Sequence, residues 1–169
     1  MSKYARSVGM LFLSLLLVEC QERKTDVHGF YVGMTEQAAH ETVASQGIKC
    51  AVQDGPQWGC LLGDTRFTLL FTRNLAPNRL RLLEYVFRSE ASIAGVEQKI
   101  AEDFGVRFPP LQGDYPEGFA TLPDGAELSI SGDPPPFVYR LNIFSKALLD
   151  EDNQAGAKKE AAKPVPSFR

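Results

Sequence analysis

The stretch RFTLLFTRNLAPNRLRLLEYVFR, residues 66–88, reads as two strands, and that reading decides the fold. Phe67, Leu69 and Phe71 alternate with Arg66, Thr68 and Leu70, so on an extended chain the three apolar side chains at odd positions share one face. After the turn at Leu75-Ala76-Pro77-Asn78, Leu83, Tyr85 and Phe87 do the same. Two alternating runs joined by a Pro-containing turn predict neighbouring antiparallel strands with one buried face.

The flanking segments change to a helical period. Upstream, Thr35 can cap a helix over EQAAHETVASQ, residues 36–46, with Glu36 favourably placed in its first turn. Gly47 then supplies the left-handed closing residue and Ile48 can pack back on Val43. Downstream, Ser89 precedes EASIAGVEQKIAEDF and Gly105 follows it, with Ile93, Val96, Ile100 and Phe104 on one helical face. Strand patterns then return. Leu128 and Ile130 alternate with Glu127 and Ser129 after the Pro-Asp-Gly turn, and Phe137, Tyr139, Leu141 and Ile143 alternate after the PPP loop. The sum is an α+β domain: two helices on one face of a mainly antiparallel sheet of six or seven strands, in an order that admits a duplicated helix-plus-strands unit without residue matching between the halves.

Composition is that of a folded chain. Hydrophobic residues make up 44% and charged residues 23%, and the net charge of -3 offers no general attraction to phosphate, which argues against a nucleic-acid partner. A single α+β domain is expected over 27–145, about 120 residues, enough for one core. Residues 146–169 mix both charges with Ala and Pro without sustained periodicity and are expected to be a disordered polar tail. Within it, Asp150 and Asp152 imitate the start of a calcium loop, but glycine falls at 156 and Ala161 stands where a bidentate Glu is required.

Residues 1–20 read as a secretory leader. Lys3 and Arg6 precede an apolar run from Val8 to Val18, roughly eleven residues, which is signal-like and too short for a membrane span. The run ends Leu17-Val18-Glu19-Cys20, which resembles a bacterial lipobox at Leu17, Val18 and Cys20 but not at Glu19. Three outcomes fit: Cys20 as a lipidated first residue, a leader retained or cut elsewhere, or an ordinary cysteine of an unexported chain. The first is the expectation carried, and with it a periplasmic or outer-membrane location.

Export leaves Cys50 and Cys60 as an even pair in an oxidising compartment, expected to form one disulfide across a hairpin of IKCAVQ and CLLG joined by DGPQWG. No metal site is expected, because only His28 and His40 accompany the cysteines; His40, four residues after Glu36, reads as half of a surface ion pair.

The lipobox-like Cys20 followed by a spacer and VGMTEQ opening a helix resembles the SmpA/OmlA (BamE) family of bacterial outer-membrane assembly lipoproteins and the related β-lactamase-inhibitor-like fold, and VFRS at 86–89 echoes an aromatic strand of that family. The resemblance implies a small envelope lipoprotein of α+β architecture. The chain departs from the family where QGIKC leads from the first helix directly into a strand.

Chemistry leaves few marks. GxSxG, HExxH and Gly-rich phosphate loops are absent, and Ser131 in SISGD has only distant histidines for partners, so no catalytic residue and no cofactor are assigned. A binding role has more to stand on. Trp58 beside Pro56 in the hairpin loop is a candidate anchor for an envelope protein partner, with filling of the core edge as its alternative, and Phe137 after the prolines is a second exposed apolar candidate. The expected function is a non-catalytic interaction or accessory module, membrane-attached through its lipid. The alternative is a small periplasmic enzyme or an inhibitor of a secreted hydrolase.

Overall fold

A computed structural model describes residues 24–109, 117–133 and 138–163; the leader with Cys20, and Phe137, lie outside them. In chain order the elements are α1 (Glu36–Gln46), β1 (Lys49–Asp54), β2 (Gln57–Leu62), β3 (Thr65–Phe71), β4 (Leu80–Arg88), α2 (Ile93–Phe104), β5 (Glu117–Thr121), β6 (Glu127–Asp133), β7 (Val138–Phe144) and α3 (Lys146–Ala161). The seven strands form one antiparallel sheet of order β1-β2-β3-β4-β7-β6-β5. Each half is a helix followed by an antiparallel meander, and the last strands of the two meanders, β4 and β7, lie side by side.

Register turns alternation into a core. Cys60, Phe67, Tyr85, Leu141 and Ile130 stand opposite one another from strand to strand, and Trp58, Leu69, Leu83, Ile143 and Leu128 form the next row on the same face. All ten are buried. The strict period of two breaks once in β4: Leu70 pairs with Leu82 but Phe71 with Leu80, leaving Arg81 unmatched. The bulge re-aims the strand start, so Leu80 and Leu83 are both buried although three residues apart.

Both core-facing helices close as their sequences require. Gly47, in the left-handed region at φ 66°, donates its N–H to Val43 O, and Ile48 N–H reaches the same carbonyl at 3.1 Å. Thr35 Oγ1 accepts from Ala38 N–H at 3.2 Å. The cap of α2 is Ser92, not Ser89: Ser92 Oγ accepts from Gly95 N–H, while Ser89 Oγ serves the turn ahead by accepting from Ala91 N–H. The helix starts where its apolar face starts, at Ile93.

Residues 146–161 are not a disordered tail but α3, capped by Ser145 Oγ accepting from Leu148 N–H at 3.1 Å. Periodicity misses this helix because polar contacts fix it. Asp152, 2% exposed, accepts from the backbone N–H groups of Arg73 (2.9 Å) and Asn74 (2.6 Å) and faces Arg81 Nη1 at 3.5 Å. Asn74 Nδ2 returns a bond to the Asp152 carbonyl at 3.1 Å, and Arg79 pairs with Glu151 at 2.7 Å. The carboxylate imagined in a calcium loop is therefore a cap on the β3–β4 connection. Replacing it leaves two part-buried N–H groups and the Arg81 guanidinium without their acceptor, so Asp152→Ala should cost about 3 kcal/mol in chemical denaturation, against less than about 1 kcal/mol for Leu149→Ala on the exposed side of the same helix.

Candidate functional site

The hairpin of β1 and β2 carries the Cys50–Cys60 disulfide, its Cα atoms 4.1 Å apart at directly opposed positions. Closing a loop of ten residues stabilises the fold by about 2–3 kcal/mol. The connection is tighter than the sequence reading took it to be. Gly55, left-handed at φ 56°, and Pro56 alone make the turn, and β2 begins at Gln57.

That shift corrects the role of Trp58. It is not a loop tip offered to a partner but a strand residue, 2% exposed, with its ring 4.8 Å from Phe71 and 4.3 Å from His40 between centroids. Parity is the reason: two residues before Cys60 on a strand, Trp58 must share its face. Pro56 is half-buried and its carbonyl accepts from Phe71 N–H at 3.0 Å, so it too is fixed within the sheet end. His40 makes no ion pair with Glu36, whose Oε2 accepts instead from Asn78 Nδ2 at 2.8 Å; the imidazole covers the indole.

Sequence patterning did not point to a large concavity over the sheet. Seven strands at about 4.8 Å spacing span roughly 29 Å, whereas two helices packed side by side cover about 20 Å. The segment 24–34 covers part of the remainder, its tight turn at His28-Gly29 (φ 53° and 77°) bringing Phe30 to 5.6 Å from Phe67. Between this segment and α2 a cleft of about 1060 Å³ stays open over β4. Phe87, Val96, Ile100, Phe104 and Leu141 form apolar walls, and Lys24, Asp26, His28, Lys99 and Asp103 stand among the polar lining.

Tyr85 lines the cleft, stacked on Phe67 at 5.3 Å and 6.1 Å from the His28 ring. Its hydroxyl is buried and has no hydrogen-bond partner among the described residues. Burial, and secondarily the Asp26 carboxylate, holds it above its ordinary range, so it stays a neutral O–H. The charges at the rim are already engaged: Lys99 lies 3.5 Å from Asp103, Lys24 sits over the Tyr31 ring at 4.6 Å, and Asp26 Oδ1 accepts from Gly29 N–H at 2.7 Å.

The other candidate groups do not converge. Ser131 follows Ile130 on β6 and so lies on the opposite face of the sheet from the cleft that holds His28. Glu102 accepts from Gln98, and Glu84 lies 3.6 Å from Arg140. Among the described residues no three His, Cys, Asp or Glu side chains gather as metal ligands, and no described helix is long and apolar enough to cross a membrane. Glu97 on α2 is 9% exposed, with Oε1 unpartnered among the described residues, against the bare backbone of Gly118. No family model matches the chain, and no curated protein or solved structure shows significant similarity to it.

Two outcomes follow from these burials. Trp58→Ala should lower stability by about 3–5 kcal/mol in a urea melt, the cost of truncating a buried aromatic, and Trp58→Phe by much less, since it also removes an indole N–H that lacks an acceptor among the described residues. Desolvation raises the Glu97 carboxyl above its ordinary range, so its stabilising protonated form is complete below the unfolded value and lost as pH rises through the folded one. Glu97→Gln should then raise the melting temperature at neutral pH, with the gain vanishing in thermal scans near pH 3.

Proposed function

We propose that this chain is an exported cell-envelope lipoprotein, held to the membrane through Cys20, that acts as a non-catalytic binding module. The observation that carries the reading is the Cys50–Cys60 disulfide, because a stable structural disulfide belongs to an oxidising compartment and the leader supplies the route there. The resemblance of the Cys20-to-VGMTEQ segment to the SmpA/OmlA (BamE) lipoproteins supports the same location, and Gly33 and Thr35 in that segment have clear physical tasks. Gly33, at φ 93°, donates its N–H to Leu80 O at 2.7 Å, and Thr35 caps α1.

A binding role fits the distribution of surface chemistry. The cleft is walled by apolar side chains with a minority of polar groups in its lining, and ligand sites commonly take the form of an apolar concavity with a few placed polar groups. Large apolar residues also stand out on the sheet's other face and edges: Leu61, Phe119 and Val52, the last 66% exposed. A partner strand could extend the sheet at β1, whose residues are almost all exposed.

Intact-mass measurement of protein extracted from membranes tests the anchor. A chain beginning at Cys20, carrying the added mass of acyl groups and two hydrogens lighter than the dithiol form, is the expected result. Cys20→Ser should move the protein from the membrane to the soluble fraction of the envelope. An unmodified Cys20 within a longer chain would refute the anchor, and recovery in the cytosol would refute export as well.

A further inference from the structure

The cleft over β4 combines three properties that select a ligand. Its volume, about 1060 Å³, lies just above the range of roughly 300–1,000 Å³ for small-molecule pockets. Its walls are mostly hydrocarbon: Phe87, Phe104, Val96, Ile100 and Leu141. Among its polar lining, which also holds Thr25, Thr65 and Ser89, Tyr85 is 6% exposed, and its hydroxyl is buried just beneath the surface without a partner among the described residues.

Each property excludes something. A hydrophilic ligand would gain little from these walls, while an acyl chain would be removed from water along its length. An anionic head at Tyr85 would meet the Asp26 carboxylate nearby, while the two lysines of the lining stand elsewhere, Lys99 beside Asp103 and Lys24 over the Tyr31 ring. An uncharged carbonyl oxygen meets neither objection. It can accept the tyrosine O–H and satisfy a buried donor whose desolvation otherwise goes uncompensated.

We propose that this cleft binds an uncharged acyl lipid, its chain along the α2 wall and its ester or amide carbonyl accepting a hydrogen bond from Tyr85 Oη. His28 is the gate. The hydroxyl is buried as it stands, so binding needs a neighbouring side chain to move, and His28, exposed, on a two-residue turn and 6.1 Å from the Tyr85 ring, is placed to do so by a rotamer change. The inference names the ligand of the binding-module reading and rests on that reading only for the cleft's biological use; binding in solution and location in the cell fail separately.

Gly95 makes the site testable without damaging the fold. It lines the cleft from within α2, and a Cβ placed there meets only ordinary contacts, Ala91 Cβ at 3.5 Å and Ser92 Oγ at 3.6 Å. A longer side chain should enter the cleft, and replacing a helical glycine should not lower stability. The purified protein is titrated with the uncharged fluorophore phenylnaphthylamine, which is then displaced by monocaprylin or by caprylate, both below their micellar concentrations. Saturable single-site displacement by monocaprylin is expected, with caprylate at least about tenfold weaker. Gly95→Leu should abolish dye binding. Tyr85→Phe should weaken monocaprylin about tenfold while leaving dye affinity and melting temperature near the unsubstituted values. The proposal is overturned by absence of saturable binding, by a folded Gly95→Leu protein that binds dye as before, by caprylate binding as tightly as monocaprylin, or by a Tyr85→Phe variant with unchanged monocaprylin affinity.

Discussion

Everything in this protein follows from the need to cover one apolar face of a seven-stranded sheet with very little helix. The rows through Trp58, Leu69, Leu83 and Ile143 and through Cys60, Phe67, Tyr85 and Leu141 present more hydrocarbon than α1 and α2 can shield side by side. The segment 24–34 is recruited as a third cover, and Phe30, Met34 and Ala39 join the same core. Where its cover thins, between His28 and α2, the cleft remains. The candidate site is thus the residue of a packing problem, which is why it lies beside the middle of the core and not at a loop cluster.

The two halves meet at a seam. β4 and β7 pair over seven positions from Leu82–Phe144 to Arg88–Val138, so each meander ends against the other and the sheet is continuous through its centre. Tyr139, on the seam, sends its hydroxyl to the Ala91 carbonyl at 2.6 Å and so ties the start of α2 to the sheet. The opposite end of β4 is held by polar contacts. There Asp152 gathers the N–H groups of the β3–β4 connection, and Ser145 N–H donates to Arg81 O at 3.1 Å across the bulge. Apolar burial on one side and one buried carboxylate at one end therefore fix the same strand, and errors in either would shift the floor of the cleft.

The disulfide is placed where the hydrophobic effect is weakest. β1 is an edge strand with nearly all of its residues exposed, and a single neighbour gives it little cover. Cross-linking Cys50 to Cys60 offsets that by limiting the unfolded chain, and it also holds the β2 side chain Trp58 beneath His40. An exported protein can use this device and a cytosolic one generally cannot.

The sequence by itself determined what depends on near neighbours along the chain. The period-two runs of β3, β4, β6 and β7, the Thr35 cap and Gly47 stop of α1, the Gly105 stop of α2 and the Cys50–Cys60 pairing all rest on spacings of a few residues, so each was legible before any three-dimensional arrangement was known. The position of Trp58 was legible in principle, since it is two residues from Cys60, but only once the turn is known to use Gly55 and Pro56 alone. Helix α3 was not, because its stability comes from Asp152 meeting N–H groups 78 and 79 residues away, and neither periodicity nor propensity carries information over that distance. The cleft was decided by tertiary structure alone: Tyr85 reads as one more inward residue of a strand, and only the shortfall of cover above the sheet places it in the lining of a cleft, with its buried hydroxyl unpartnered among the described residues.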